Sequence, residues 1–104
     1  MRIILASTSP RRKELLEKLS IPVEVIPSGV DEELAVENSP YERVSELSKL
    51  KASAVAKNID DEAVIIGADT VVTYLGRILN KPESRDEAVE MISILQGKHH
   101  TVYT

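Results

Sequence analysis

No cysteine, tryptophan or phenylalanine occurs in the sequence. Without cysteine there are no disulfides and no thiolate metal sites, and a reducing compartment fits. Without the two large aromatics the core must be built from Leu, Ile, Val and Ala. Long apolar runs are missing as well. The longest, Ile3 to Ala6 and Ala63 to Ala68, fall far short of the ~20 residues of a membrane span. The first residues resemble a strand more than a signal peptide, so the expectation is a cytoplasmic protein without membrane association. Positive charge is not in surplus either, since 13 Lys and Arg face 17 Asp and Glu for a net charge of -4. That balance argues against nucleic-acid binding driven by bulk charge, yet leaves room for a local cationic pocket aimed at one small anion. Neither of the common glycine-rich phosphate loops, G-x-x-x-x-G-K-S/T or G-x-G-x-x-G, is present.

What is present is ordinary globular material: 42% apolar and 29% charged residues over 104 positions, enough for a single domain spanning residues 1–104 and too little for two. Arg2 to Ala6 is the short apolar run of a buried strand. Ser9 before Pro10 is a helix start, and Leu15, Leu16 and Leu19 supply an apolar stripe for a helix from about Pro10 to Leu19. Pro22 to Ile26 reads as a strand, and Ser28 to Glu33 as an acidic loop. Ser39-Pro40-Tyr41-Glu42 is a capping box that opens a long helix to about Lys57. Ala63 to Ala68 reads as a buried strand, and Val71 to Tyr74 with Ile78-Leu79 as a hairpin turning at Leu75-Gly76. A second capping box, Ser84-Arg85-Asp86-Glu87, starts a helix striped by Ala88, Met91, Ile92 and Leu95 and ended by Gly97. His99 to Tyr103 predicts a last strand. Alternating strands and helices give an α/β or mixed α+β class. The pattern reaches Thr104 inside a strand without a terminating turn, which predicts a fragment of a longer domain.

Three features conflict with their surroundings. Arg11, Arg12 and Lys13 occupy the first helical turn, where the helix dipole favours acids. Either these cations are solvated and pair with Glu14 and Glu17, or they await an anion at the free amides of the helix start, where arginine forks match phosphate oxygens. Lys51 falls in the middle of the apolar face made by Val44, Leu47, Ala54 and Val55. It either snorkels to water or serves as a phosphate ligand. Asp69 is the only charge between Ala63 and Val72, after two small residues that would let a ligand approach the backbone. A lone buried carboxylate is costly, so Asp69 caps a turn, binds a metal, or acts as a base. Asp31 and Glu32 add oxygen atoms suited to Mg²⁺, although acidic loops are commonly just solvated. Lys81 beside Pro82 says little alone, and the adjacent His99 and His100 lack metal-ligand spacing.

Taken together, Leu5-Ala6-Ser7-Thr8-Ser9-Pro10-Arg11-Arg12, Val30-Asp31-Glu32, Lys51-Ala52, Gly67-Ala68-Asp69-Thr70-Val71-Val72 and Asn80-Lys81-Pro82 resemble the ordered motifs of the Maf family. The resemblance runs from Ile3 to Thr104, with Gln96 to Thr104 similar to the segment that ends the first half of such proteins. It implies a twisted mixed β-sheet flanked by helices, of the Maf/ITPase-like type. It further implies a nucleoside triphosphate pyrophosphatase that uses a divalent metal, Mg²⁺ or Mn²⁺, in a family historically linked to septum formation. Carried over by position, Asp69 is the implied proton acceptor, Glu32 and Asp69 the implied metal ligands, and Arg11 and Thr70 the positions tied to substrate choice. Ser7, Arg12, Lys51 and Lys81 are implied pocket residues. Arg11 after Pro10 and Thr70 after Asp69 resemble the branch acting on dTTP and UTP, not the 7-methyl-GTP branch, which tends to carry Trp and Gln there. Asn80 departs from the Gly that many relatives place before Lys-Pro. Family members are about twice as long, with a further Gln and a Gly-Leu-Pro segment in the other half. The expected partner is a nucleoside triphosphate, and a homodimer is admissible. The competing expectation is a module that binds nucleotide or regulates division without turnover; a third is a structural domain with a fortuitous cationic helix start.

Overall fold

Ile4, Leu5 and Ala6 are fully or almost fully buried, because β1 (Arg2–Leu5) lies at the centre of a parallel sheet and has both of its faces covered. The computed structural model of the chain describes residues 1–31, 39–79 and 84–104. In it β1 is followed by α1 (Pro10–Glu17), β2 (Glu24–Val25), α2 (Pro40–Ala56), β3 (Ala63–Ile66), β4 (Val71–Tyr74), β5 (Arg77–Leu79), α3 (Arg85–Leu95) and β6 (Thr101–Tyr103). One three-stranded sheet has the order β2-β1-β3 and is parallel throughout; the other has the order β5-β4-β6 and is antiparallel throughout. Helices with parallel and antiparallel strands place the chain in the expected mixed α/β class.

Each helix starts where its serine predicts. The hydroxyls of Ser9, Ser39 and Ser84 accept from the amides of Arg12, Glu42 and Glu87 at 3.4, 3.2 and 3.1 Å, each satisfying one amide that the first turn leaves unpaired. Only α2 buries its apolar face, through Val44, Leu47 and Val55. Val55 packs with Ile4 and Ala6, flanked by Ile26, Ile59, Ala63 and Ile65; burying an aliphatic side chain of this size contributes about 1.5–3 kcal/mol. At Gly67 the helix comes so close that an added Cβ would lie 2.1 Å from the Ser48 carbonyl oxygen. The missing side chain therefore admits α2, where the sequence suggested that it admits a ligand. The hairpin turns at Leu75 and Gly76, both with positive φ (51° and 77°), as a two-residue turn of the I′ kind requires.

Three expectations change. The expected second strand, Pro22 to Ile26, shrinks to Glu24–Val25. The strand expected to be buried at Ala63 to Ala68 stops at Ile66, lies at an edge of the described sheet and is only partly buried, with Val64 exposed. The apolar stripes of α1 and α3 form as helices but contain no buried residue, with Leu15, Leu19 and Ile92 exposed. Helical periodicity placed these side chains on one face, and the described elements cover that face only in part. Among the described residues no helix is long and apolar enough to cross a membrane.

Candidate functional site

β1 and β3 run side by side, with Leu5 paired to Ile66, so the segments that follow them emerge together. One is Ser7-Thr8-Ser9, leading into α1; the other is Gly67-Ala68-Asp69-Thr70, leading into β4. The chain passes from β1 to β2 on one side and returns to β3 on the other. β1 is thus where the strand order reverses, and its carboxyl end is the position at which open α/β sheets form ligand crevices.

Asp69 is buried there, and its Oδ1 accepts from Lys51 Nζ at 3.0 Å, the lysine being equally buried on α2. Lys51 therefore turns inward to the carboxylate; it does not snorkel. The two groups are the natural answer to each other, since either alone in this setting would carry a large desolvation cost. Asp69 Oδ2 is also shielded from solvent and has no hydrogen-bond partner among the described residues. A dry acceptor oxygen left in this state is where a cation or a donor group fits.

On the other segment the guanidinium of Arg12 donates to Ser7 Oγ at 3.3 Å and to Thr70 Oγ1 at 3.1 Å, spanning the ends of β1 and β3. Ser7 Oγ also accepts from the Ser9 amide at 3.1 Å, which sets the turn into α1. Of the three cations in the first helical turn, Lys13 pairs with Glu17 at 3.6 Å, as the solvated reading anticipated. Arg12 instead points into the site, and Arg11 is exposed on its rim. Ser7, Ser9, Arg12, Ser28 and Lys51 line a hollow of about 280 Å³ at the amino end of α1. A wider cleft of about 770 Å³ carries Arg11, Arg12, Arg43, Asp69, Thr70 and Thr104. The hollow is polar, doubly cationic and closed on one side by a helix start, so it can hold an anion.

Of the residues singled out in the sequence, Ser7, Arg11, Arg12, Lys51, Asp69 and Thr70 thus surround one region. Glu32 and Lys81 lie outside the described residues, and no cluster of three or more His, Asp or Glu side chains occurs among those described. Thr104 gave no sign in the sequence. Its hydroxyl lies 2.8 Å from Thr70 Oγ1 and donates to the Asp69 carbonyl at 3.1 Å. The signal that would have found it is register: Val71 opposite Tyr103 puts Thr104 opposite Thr70, and spacing along the chain does not reveal register.

A cationic hollow and a buried carboxylate at the carboxyl ends of parallel strands define an α/β protein with a crevice at its strand-order reversal whose chemistry suits an anion. The chain belongs to the Maf family, whose profile, described as Maf-like protein, matches residues 2–104. A dTTP/UTP pyrophosphatase of Bacillus cereus (strain G9842) is 55% identical over 103 residues, which are 99% of this chain and 53% of that protein. A dTTP/UTP pyrophosphatase of Bacillus anthracis is 53% identical over 103 residues, again 99% of this chain and 53% of its relative. The chain spans about half the length of the curated relatives it matches.

Proposed function

We propose that this chain supplies the phosphate-gripping and catalytic half of a nucleoside triphosphate pyrophosphatase that cleaves dTTP or UTP to the nucleoside monophosphate and pyrophosphate. The observation that carries the reading is the buried Asp69, fixed by Lys51 next to a hollow that Arg12 shares. The names of the relatives support the substrate class. In this reading Arg12, Lys51 and the amides at the start of α1 bind the triphosphate, with Arg11 at its margin and Lys81 as a further pocket residue that the family resemblance implies. Ser7 holds the Arg12 fork in place. Lys51, bound to Oδ1, aims the Asp69 carboxylate and leaves Oδ2 to receive a proton. Asp69 takes that proton from water as the water oxygen bonds to the α-phosphorus. The bond from that phosphorus to the bridging oxygen breaks, and pyrophosphate leaves with the electron pair. A divalent cation, Mg²⁺ or Mn²⁺, would be held by the carboxylates of Asp69 and Glu32, the ligand pair that the family resemblance implies. When bound, the cation would neutralise charge on the phosphates. A cytoplasmic location, a homodimer and a link to septum formation rest on the resemblance and composition alone.

The test is product analysis of the chain with Mg²⁺ and dTTP or UTP. The expected products are pyrophosphate and the monophosphate; orthophosphate with the nucleoside diphosphate would sink the assignment. Asp69→Asn should lower turnover by about 10²- to 10⁴-fold, the usual contribution of a general base, and full turnover in that variant would remove Asp69 from the role. The competing reading is a module that binds nucleotide without turnover. Calorimetric binding of UTP by the folded chain, with no pyrophosphate released, would select it.

A further inference from the structure

Arg12 lines both the hollow and the wider cleft, and two hydroxyl oxygens hold its guanidinium, Ser7 Oγ at 3.3 Å and Thr70 Oγ1 at 3.1 Å. The two oxygens are themselves fixed by different means. Ser7 Oγ also accepts from the Ser9 amide at 3.1 Å, so its setting is local to the turn into α1. Thr70 Oγ1 lies 2.8 Å from Thr104 Oγ1, and Thr104 gives its one proton to the Asp69 carbonyl oxygen at 3.1 Å. The contact between the threonines is therefore donated by Thr70. A guanidinium can only donate, so the bonds run in one direction, from Arg12 to Thr70, from Thr70 to Thr104, and from Thr104 to the Asp69 carbonyl. With its proton committed to Thr104, Thr70 turns a lone pair to Arg12.

We infer that Thr104 is a positioning residue for Arg12: by taking the Thr70 proton it holds Thr70 as an acceptor, and Thr70 in turn holds the guanidinium fork in the orientation that meets a condensed phosphate. This rests on the phosphate-binding role given to Arg12 above. Two of the guanidinium's N–H donors are spent on Ser7 and Thr70, and the rest of the fork is left for phosphate oxygens. Fixing a planar fork in advance lowers the ordering cost of binding. Thr104 reaches the task through register, since Val71 opposite Tyr103 sets it opposite Thr70, and cross-strand threonine pairs readily share a hydrogen bond. The same bonds tie the arginine of α1 to the backbone of Asp69. The group that grips the anion and the carboxylate beside it are thereby set in one frame.

The experiment is calorimetric titration of inorganic tripolyphosphate into the whole chain without metal, with the fold of each variant checked by circular dichroism. Thr104→Val keeps the shape and removes the hydroxyl. It should weaken tripolyphosphate binding by about three- to tenfold, the scale of one neutral hydrogen bond. Thr104→Ser restores the hydroxyl and should hold the affinity within about twofold of the unaltered chain on the same scale. In an Arg12→Lys background, which keeps the charge and removes the fork, Thr104→Val should weaken binding no further. A full Thr104→Val loss in that background would mean that the threonine acts on the site without Arg12, and would overturn the inference. So would unaltered binding in Thr104→Val, or a serine variant that behaves like the valine variant. A second measurement needs no ligand. The Arg12 Nε–H resonance, identified by its absence in Arg12→Lys, should shift in Thr104→Val and return in Thr104→Ser. A resonance unmoved by the valine would overturn the inference even where the Arg12→Lys chain binds too weakly to titrate. If the unaltered chain fails to bind tripolyphosphate while the resonance behaves as expected, the phosphate-binding reading falls and the positioning of Arg12 by Thr104 stands.

Discussion

Two charged clusters sit at opposite ends of the parallel sheet, and they are built on opposite physics. At the amino end, where β1 and β3 begin, Arg2 donates to both carboxylate oxygens of Glu24 at 2.8 and 2.9 Å and to Asp61 at 2.8 Å. All three side chains are substantially exposed. At the carboxyl end Lys51 Nζ donates to Asp69 Oδ1 at 3.0 Å, and both side chains are buried. The exposed cluster has the shorter contacts, yet water competes for every one of them. The buried pair leaves Asp69 Oδ2 without a hydrogen-bond partner among the described residues, an arrangement that stability alone does not favour. Good hydrogen-bond geometry thus marks an exposed end whose contacts add little to stability. Unsatisfied chemistry marks the end where a ligand is expected.

The largest expected effect comes from breaking the buried member of this comparison. Lys51→Met keeps the length of the side chain and strands the Asp69 carboxylate without its cation, which should lower the unfolding free energy by about 3–5 kcal/mol. Urea titration followed by circular dichroism measures it, beside Arg2→Met as the exposed counterpart. A Lys51→Met variant no less stable than Arg2→Met would erase the distinction between the two ends. Next in size is Gly67→Ala. Its Cβ would meet the Ser48 carbonyl oxygen at 2.1 Å, so α2 must withdraw from β3 at a cost of about 1–3 kcal/mol, as for other overpacked sites. Because the withdrawal also carries Lys51 away from Asp69, the variant should lose turnover along with stability. Unaltered urea midpoint and turnover in Gly67→Ala would show that the close approach is dispensable.

Much of this arrangement can be read from the residues, and the rest fails for identifiable reasons. The serine caps are local chemistry, so Ser9, Ser39 and Ser84 locate the helix starts without tertiary information. Lys51 and Asp69 stand out because each is a charge inside an apolar pattern, and a pattern violation is visible in one dimension. Their pairing is not, since it depends on how α2 crosses the end of β3. The same holds for Gly67, whose small size is legible but whose neighbour, the α2 backbone, is not. Val64 and Ile92 mislead in the opposite way: an apolar residue in good periodicity announces a face, and whether anything covers that face is decided elsewhere in the fold. Thr104 shows no anomaly at all, because a threonine in a strand is ordinary. Only the β4–β6 register gives it a role.

The smallest expected effect belongs to the exposed cluster and is read against pH. Hydrogen bonding to Arg2 holds the Glu24 carboxyl below its ordinary range, while the Arg2 guanidinium is pushed further up by Glu24 and Asp61. A carboxyl whose pKa is depressed by folding stabilises the native state above the unfolded value, about 4.3 for glutamate. That contribution is lost as pH falls through the lower folded value. The raised arginine adds no dependence in this window, because it stays charged in both states. Comparing the chain with Glu24→Gln by thermal unfolding should therefore give a small difference at neutral pH that narrows on acidification below the ordinary glutamate range. The difference between the chain and Lys51→Met should remain large at neutral pH and dwarf it. A Glu24→Gln difference that stays constant across that acid range would mean that the Arg2 contact does not depend on the carboxylate charge. The contrast between an exposed ion-paired end and a ligand-directed end would then rest on the buried pair alone.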